Sequence, residues 1–140
     1  MICGVAVDHP RGLAGHSDAD VGAHALMDAL LGAAGLGDIG EFFPDTEAAY
    51  AGVSSMDLLR QVVVLVCQAG WRVGNVDVTL VCERPRLACY RGQMRETLAA
   101  ALGVETGAVS VKATTTEGMG FEGRGEGMAA LAVCLLARSD

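Results

Sequence analysis

One amphipathic segment, residues 16–36, constrains the fold of this chain more than any other stretch. Ser17 or Asp18 can cap a helix there, because short polar side chains accept hydrogen bonds from the first helical N–H groups. The apolar spacing predicts a helix over about residues 19–36. One face of this helix is apolar and is expected to pack on a core; it consists of Val21, Leu26, Leu30, Leu31 and Ala34.

The other face of the same helix carries Asp20, His24 and Asp28. These residues recur every four positions, which aligns an imidazole and two carboxylates along one stripe. Such a stripe is the best metal-binding candidate in the sequence. The alternative is an ordinary solvated ion pair, which is the commoner fate of a His four residues from an Asp.

Composition narrows the classes of function. The 140 residues suit a single domain spanning residues 1–140, and a hydrophobic content of 51% leaves apolar surface for an oligomer interface. A net charge of −7 argues against a nucleic-acid partner. The sequence has neither a membrane-spanning run nor a signal-peptide pattern, so we expect a cytoplasmic protein with no membrane partner. Five scattered cysteines are expected to be reduced.

Periodicity and turn residues predict the remaining elements. Helices are predicted over residues 54–69 and 90–102, and strands over residues 3–7, 71–82, 109–113 and 128–137. The last of these strands is uniformly apolar and is predicted to be buried. This order of elements predicts an α+β fold, an α/β sandwich with a mixed β-sheet and helices on one face.

Three loops carry candidate chemistry. Residues 38–46 contain two aromatic and several short polar residues, typical either of a packed turn or of a substrate loop. Arg84 and Arg86 follow a strand and serve either solubility or phosphate binding. Residues 114–117 offer three hydroxyls and a carboxylate at a strand end, which can hold phosphate oxygens and a bridging divalent cation, or can simply be solvated.

Taken together, several motifs resemble those of the 2-C-methyl-D-erythritol 2,4-cyclodiphosphate synthase family. They occur in unbroken order over nearly the whole chain, and are HSDAD at 16–20, DIG at 38–40, FPDT at 43–46, GNVD at 74–77, and KATTTE at 112–117 with GRGEG at 123–127. The resemblance implies a homotrimer with an active site at each subunit interface. It also implies cyclisation of 4-diphosphocytidyl-2-C-methyl-D-erythritol 2-phosphate with release of cytidine monophosphate, in non-mevalonate isoprenoid biosynthesis.

The resemblance further assigns roles to individual residues. It implies that His16 and Thr115 stabilise the transition state, that His24 is a zinc ligand, and that Glu117 binds a Mg²⁺ or Mn²⁺ ion that bridges the phosphates. The methylerythritol part would be held by Ser17, Asp38, Ile39, Gly40, Phe43, Pro44, Asp45, Thr46 and Glu47. The cytidine pocket would comprise residues 82–88, among them Cys82, Arg86, Leu87 and Ala88, together with Ala113 and Thr114, and Arg86 stands where the family often has Lys. Further contacts would come from Thr116, Phe121 and Arg124, with Arg124 and Glu126 near the trimer axis.

The beginning of the sequence departs from the family pattern. Family members begin with a strand carrying Asp-x-His, which supplies two of the three protein ligands of zinc, and this sequence is expected to start after that strand. Asp8 and His9 belong to the following turn and do not replace it. A trimer that binds a diphosphate or isoprenoid ligand without turnover is therefore the alternative function.

Overall fold

The sheet is organised around one long central strand. A computed structural model of the chain describes residues 1–8, 20–44 and 53–139. Three strands in these ranges form a single sheet: β1 (Trp71–Val81), β2 (Val109–Thr114) and β3 (Ala129–Arg138). β1 lies in the middle, parallel to β2 and antiparallel to β3. Its alternation buries Val76, Val78 and Leu80 on one face, as the predicted strand requires.

The α-helices of the described residues are α1 (Val21–Ala33), α2 (Ile39–Phe42), α3 (Ser55–Gln68), α4 (Arg91–Leu102) and α5 (Gly120–Gly123). Of these, α1, α3 and α4 cover the face of the sheet that carries the buried side chains. α1 packs on β1 and β3, α3 on β1, and α4 on β2. The predicted α+β fold with a mixed sheet is confirmed, and so is the Ser54 cap of α3. Among the described residues, no helix is long and apolar enough to cross a membrane.

Asp20 determines where α1 begins. Its Oδ1 accepts the N–H of Ala23 at 2.9 Å, which makes Asp20 the N-cap rather than a residue of the first turn. The same carboxylate accepts the N–H groups of Cys3 and Gly4, both at 2.7 Å, and the hydroxyl of Ser55 at 3.0 Å. The predicted start at residue 19 is therefore wrong, and the helix ends at Ala33 instead of residue 36.

The segment before residue 8 is a tight turn and not the predicted strand. Ile2 and Val5 exchange backbone hydrogen bonds at 2.9 and 3.0 Å, and Cys3 and Gly4 between them have φ values of +49° and +77°. The physical reason is the Asp20 carboxylate, which accepts hydrogen bonds from two N–H groups that could otherwise pair with a neighbouring strand.

β3 is a strand as predicted, but only one of its faces is covered within the chain. Its inner residues, such as Cys134 and Leu136, pack against the core. Leu131, Val133 and Leu135 alternate with them and are 62%, 70% and 64% exposed. The prediction of a buried strand is therefore wrong for this outer face, because no element among the described residues packs on it.

Candidate active site at the ends of the parallel strands

The carboxyl ends of β1 and β2 bring two loops together at one edge of the sheet. The parallel register pairs Val81 with Thr114, the last residues of the two strands. One residue further, the Cys82 N–H donates to the Thr114 carbonyl at 3.0 Å. Residues 82–88 and 114–118 are therefore neighbours, and this edge is where α/β sheets generally place their ligands.

The turn after β2 holds an exposed carboxylate in an unusual backbone conformation. Glu117 has φ +55° and Gly118 has φ +83°, so both lie in the left-handed region. Thr115 Oγ1 accepts the Glu117 N–H at 3.2 Å, and the Thr116 hydroxyl donates to the Met119 carbonyl. A non-glycine residue held at positive φ is a common feature of functional loops. Thr115 and Glu117 are both solvent-exposed, so a ligand can reach them.

The loop after β1 has two buried anchors and exposed residues between them. Cys82 is 6% and Leu87 is 2% exposed, whereas Arg86 and Ala88 are exposed. The Cys82 thiol donates to the Pro85 carbonyl at 3.7 Å. Burial, with a contribution from the Glu83 carboxylate, raises the pKa of the Cys82 thiol, so this side chain stays protonated and packs rather than reacts.

A third segment reaches the same end of the sheet. The antiparallel register pairs Val81 with Ala129, the first residue of β3, so α5 and the residues that follow it lie close to the two loops. Phe121 is 45% exposed on α5. Arg124 donates two hydrogen bonds to the Glu126 carboxylate, at 2.9 and 3.0 Å. The exposed Ala113 and Thr114 of β2 and the half-buried Thr116 complete this end of the sheet.

A second group of predicted site residues lies along α1 and α2. Asp28 Oδ1 accepts the Ile39 N–H at 2.9 Å, which ties the loop before α2 to α1. Asp38 caps α2 by accepting the Glu41 N–H at 3.1 Å. His24 is half-buried one turn before Asp28 on α1. The other described members of this group are Gly40, which is exposed, and Phe43 and Pro44, which are half-buried.

The described residues do not by themselves assemble a zinc site. Asp20 is fully buried and accepts hydrogen bonds at both oxygens, so the prediction that it shares a metal-binding stripe with His24 is wrong. Across the described ranges, no three His, Cys, Asp or Glu side chains are grouped so that they could hold a metal. A catalytic zinc normally has three protein ligands, and His24 supplies one. Glu117 does fit Mg²⁺, which binds through one or two carboxylates together with substrate phosphates.

Some predicted site residues lie outside the described residues: His16, Ser17, Asp45, Thr46 and Glu47. For Glu83, which lies in the predicted cytidine pocket, sequence reasoning missed the bond that joins the two loops: its Oε1 accepts the Gly118 N–H at 2.8 Å. Its position directly after a strand was visible, but its partner lies 35 residues away and no spacing rule connects them.

The fold is that of an α+β domain with exposed hydroxyls and a carboxylate at the ends of its parallel strands. The model of the YgbB family matches residues 1–137. The 2-C-methyl-D-erythritol 2,4-cyclodiphosphate synthase of Methylococcus capsulatus is 59% identical over 138 residues, which are 99% of this chain and 87% of that protein. This chain therefore belongs to the YgbB family, the 2-C-methyl-D-erythritol 2,4-cyclodiphosphate synthases.

Solved structures also superimpose closely on this chain. The bifunctional IspDF of Campylobacter jejuni superimposes with a TM-score of 0.96 at 43% identity, covering 100% of this chain and 38% of that one. A 2C-methyl-D-erythritol-2,4-cyclodiphosphate synthase in its CDP-bound form superimposes with a TM-score of 0.89 at 34% identity, covering 98% and 89%.

Proposed function

We propose that this chain is a lyase that cyclises 4-diphosphocytidyl-2-C-methyl-D-erythritol 2-phosphate in non-mevalonate isoprenoid biosynthesis. An oxygen of the 2-phosphate attacks the β-phosphorus. The bond from the β-phosphorus to its bridging oxygen breaks, and cytidine monophosphate leaves with that oxygen and the electron pair. The substrate carries its own nucleophile, so the protein chiefly has to fold the substrate and stabilise developing charge.

The observation that carries this proposal is the joined pair of loops after β1 and β2. In a synthase, the loop with Arg86, Leu87 and Ala88 would hold the cytidine, together with Cys82, Ala113 and Thr114. The adjoining turn would hold the diphosphate through the exposed Thr115 hydroxyl and its neighbour Thr116. Two loops that meet along a backbone hydrogen bond of 3.0 Å suit a substrate whose base and phosphates are covalently linked.

The second group of residues would hold the methylerythritol 2-phosphate end. We assign this role to Ser17, Asp38, Ile39, Gly40, Phe43, Pro44, Asp45, Thr46 and Glu47, with further contacts from Phe121 and Arg124. The Asp28 bond to Ile39 supports the assignment, because it fixes the Asp38 loop beside His24. His16 would stabilise the transition state together with Thr115.

Enzymes of this family use divalent metal ions. We propose Zn²⁺ at His24, because an imidazole nitrogen suits that ion, and Mg²⁺ or Mn²⁺ at Glu117, where a carboxylate suits those ions. Ligands of Zn²⁺ beyond His24 would have to come from outside the described residues. Bound between phosphates, a divalent ion neutralises negative charge that this acidic chain would otherwise repel.

We also propose that residues 1–140 form one domain that assembles into a cytoplasmic homotrimer with the site between subunits. The exposed apolar face of β3 supports assembly, since such a stripe is usually covered by a partner. All five cysteines are free thiols, which suits a reducing compartment.

Release of cytidine monophosphate from the purified chain with Zn²⁺ and Mg²⁺ tests the function. We expect turnover by the unmodified chain, loss of turnover in His24→Ala, and a decrease of about 100-fold in Thr115→Val, which removes one donor to the transition state. Thr97→Val is the matched control: Thr97 on α4 donates only to the Gln93 carbonyl, and this variant should retain full activity.

The assay also separates the alternatives. Binding of cytidine diphosphate without any release would favour a binding protein over an enzyme. If release is absent, adding an Asp-x-His strand before Met1 distinguishes a chain that needs further metal ligands from one that only binds. If the chain neither binds cytidine diphosphate nor releases cytidine monophosphate, with or without that strand, the proposed function is contradicted.

A further inference from the structure

Glu83 connects the two loops of the candidate site through one hydrogen bond. Its Oε1 accepts the Gly118 N–H at 2.8 Å, across 35 residues of sequence. Glu83 itself is partly buried and lies on the loop after β1, whereas Gly118 lies in the turn that presents Glu117. A hydrogen bond from a backbone N–H to an ionised carboxylate is about twice as strong as a neutral one.

The turn that receives this bond depends on such support. Glu117 sits at φ +55°, a left-handed conformation that strains a non-glycine residue. On another side of the turn, α5 approaches so closely that a Cβ at Gly123 would lie 2.2 Å from the Gly118 carbonyl carbon. The turn is therefore held between the Glu83 carboxylate and the backbone of α5.

Among the described residues, no cation forms a salt bridge with Glu83. In the part of the chain that the structure describes, the salt bridges join Asp57 to Arg60, Asp77 to Lys112 and Glu126 to Arg124. Arg84 and Arg86 flank Glu83 in sequence, but neither forms a salt bridge with it. The hydrogen bond to Gly118 is thus the interaction by which the Glu83 side chain acts.

We propose that Glu83 is a positioning residue, which rests on the function proposed above. By holding Gly118, it fixes the Glu117 carboxylate relative to the loop after β1. A nucleoside diphosphate that spans both loops, with a divalent cation on its phosphates, then meets a preformed site. Without the bond, each binding event has to order the turn first, which lowers affinity.

Four variants test this role. Glu83→Met removes the acceptor, and Glu83→Asp keeps the charge but withdraws the carboxylate by about one methylene. Glu83→Gln keeps an acceptor oxygen at the original reach. Glu96→Met, at an exposed position of α4, is the matched control for Glu83→Met.

We expect Glu83→Met and Glu83→Asp to weaken binding of cytidine diphosphate with Mg²⁺ by about 10-fold to 100-fold, as for other residues that orient metal ligands. KM should rise by a similar factor and kcat should fall much less. The Gly118 amide should exchange its hydrogen faster in both variants. Glu96→Met should match the unmodified chain in all three measurements. Glu83→Gln should lie between the unmodified chain and Glu83→Met, because its neutral oxygen makes a weaker hydrogen bond.

Two results would overturn the role of Glu83. One is unchanged affinity and Gly118 exchange in Glu83→Asp; the other is a Glu83→Gln variant more impaired than Glu83→Asp, since negative charge rather than the hydrogen bond would then matter. Should Glu83→Met not fold, the Asp and Gln variants decide the question. An inactive unmodified chain would contradict the proposed function, while amide exchange would still report on the Glu83 bond.

Discussion

Among single residues, Asp20 shows how one buried carboxylate can define a fold. It is fully buried and accepts four hydrogen bonds, three from backbone N–H groups and one from Ser55. These donors surround the buried carboxylate, so its charge is stabilised by the groups that it organises. The N-terminal turn, the start of α1 and the start of α3 are held by this one side chain.

We predict that Asp20→Asn lowers the free energy of unfolding by roughly 3 kcal/mol, because an amide NH₂ replaces one acceptor and faces N–H donors. Urea denaturation measures the loss. Asp28→Asn is the matched control: Asp28 is exposed and binds only the Ile39 N–H, so its substitution should cost less than about 0.5 kcal/mol. Equal losses in the two variants would contradict the role given to Asp20.

At the scale of elements, the sequence predicts those whose signals are local. α3 begins at its Ser54 cap, α4 ends at Gly103, and β1 and β2 follow their alternation. The segment before residue 8 was wrongly predicted, because a carboxylate far along the chain sets its conformation. The candidate site shows the same limit: His24 stands out by its spacing on a helix and Glu117 by its place after a strand, whereas the Glu83 bond depends on strand register.

The approach of α5 to the turn after β2 gives a prediction at this scale. Gly123→Ala would place a Cβ 2.2 Å from the Gly118 carbonyl carbon, so the exposed turn has to shift and carry Glu117 with it. We expect kcat/KM for cytidine monophosphate release to fall roughly 100-fold, since small displacements of a positioned group are that costly. Because the atoms that must move are backbone atoms, the free energy of unfolding should also fall, by roughly 1–3 kcal/mol.

Gly92→Ala is the control for this substitution. Gly92 lies in α4 with no atom near the added Cβ, so alanine should stabilise the helix by about 0.5–1 kcal/mol and leave turnover unchanged. If Gly123→Ala also left turnover unchanged, the close packing of α5 would have no part in the site.

For the whole molecule, the two groups of site residues raise the question of how one substrate reaches both. The Glu83–Gly118 hydrogen bond lies within the first group, and the Asp28–Ile39 hydrogen bond lies within the α1–α2 group. The outer face of β3, with Leu131, Val133 and Leu135 exposed, offers an apolar surface on which further copies can pack. A site shared between neighbouring subunits of a trimer would bring one group of each kind together.

Subunit complementation tests this arrangement directly. His24→Ala disables the α1–α2 half and Glu117→Ala disables the other half, so each variant alone should be inactive. Coexpressed in equal amounts, they should recover about a quarter of the unmodified activity, the share of interfaces that receive both intact halves by chance in a cyclic trimer. Adding Val133→Asp to both chains should abolish the recovery, because a buried charge opposes packing of the β3 face. Light scattering should then detect single subunits. If instead the mixture of His24→Ala and Glu117→Ala chains is trimeric but recovers no activity, both halves of the site lie within one chain.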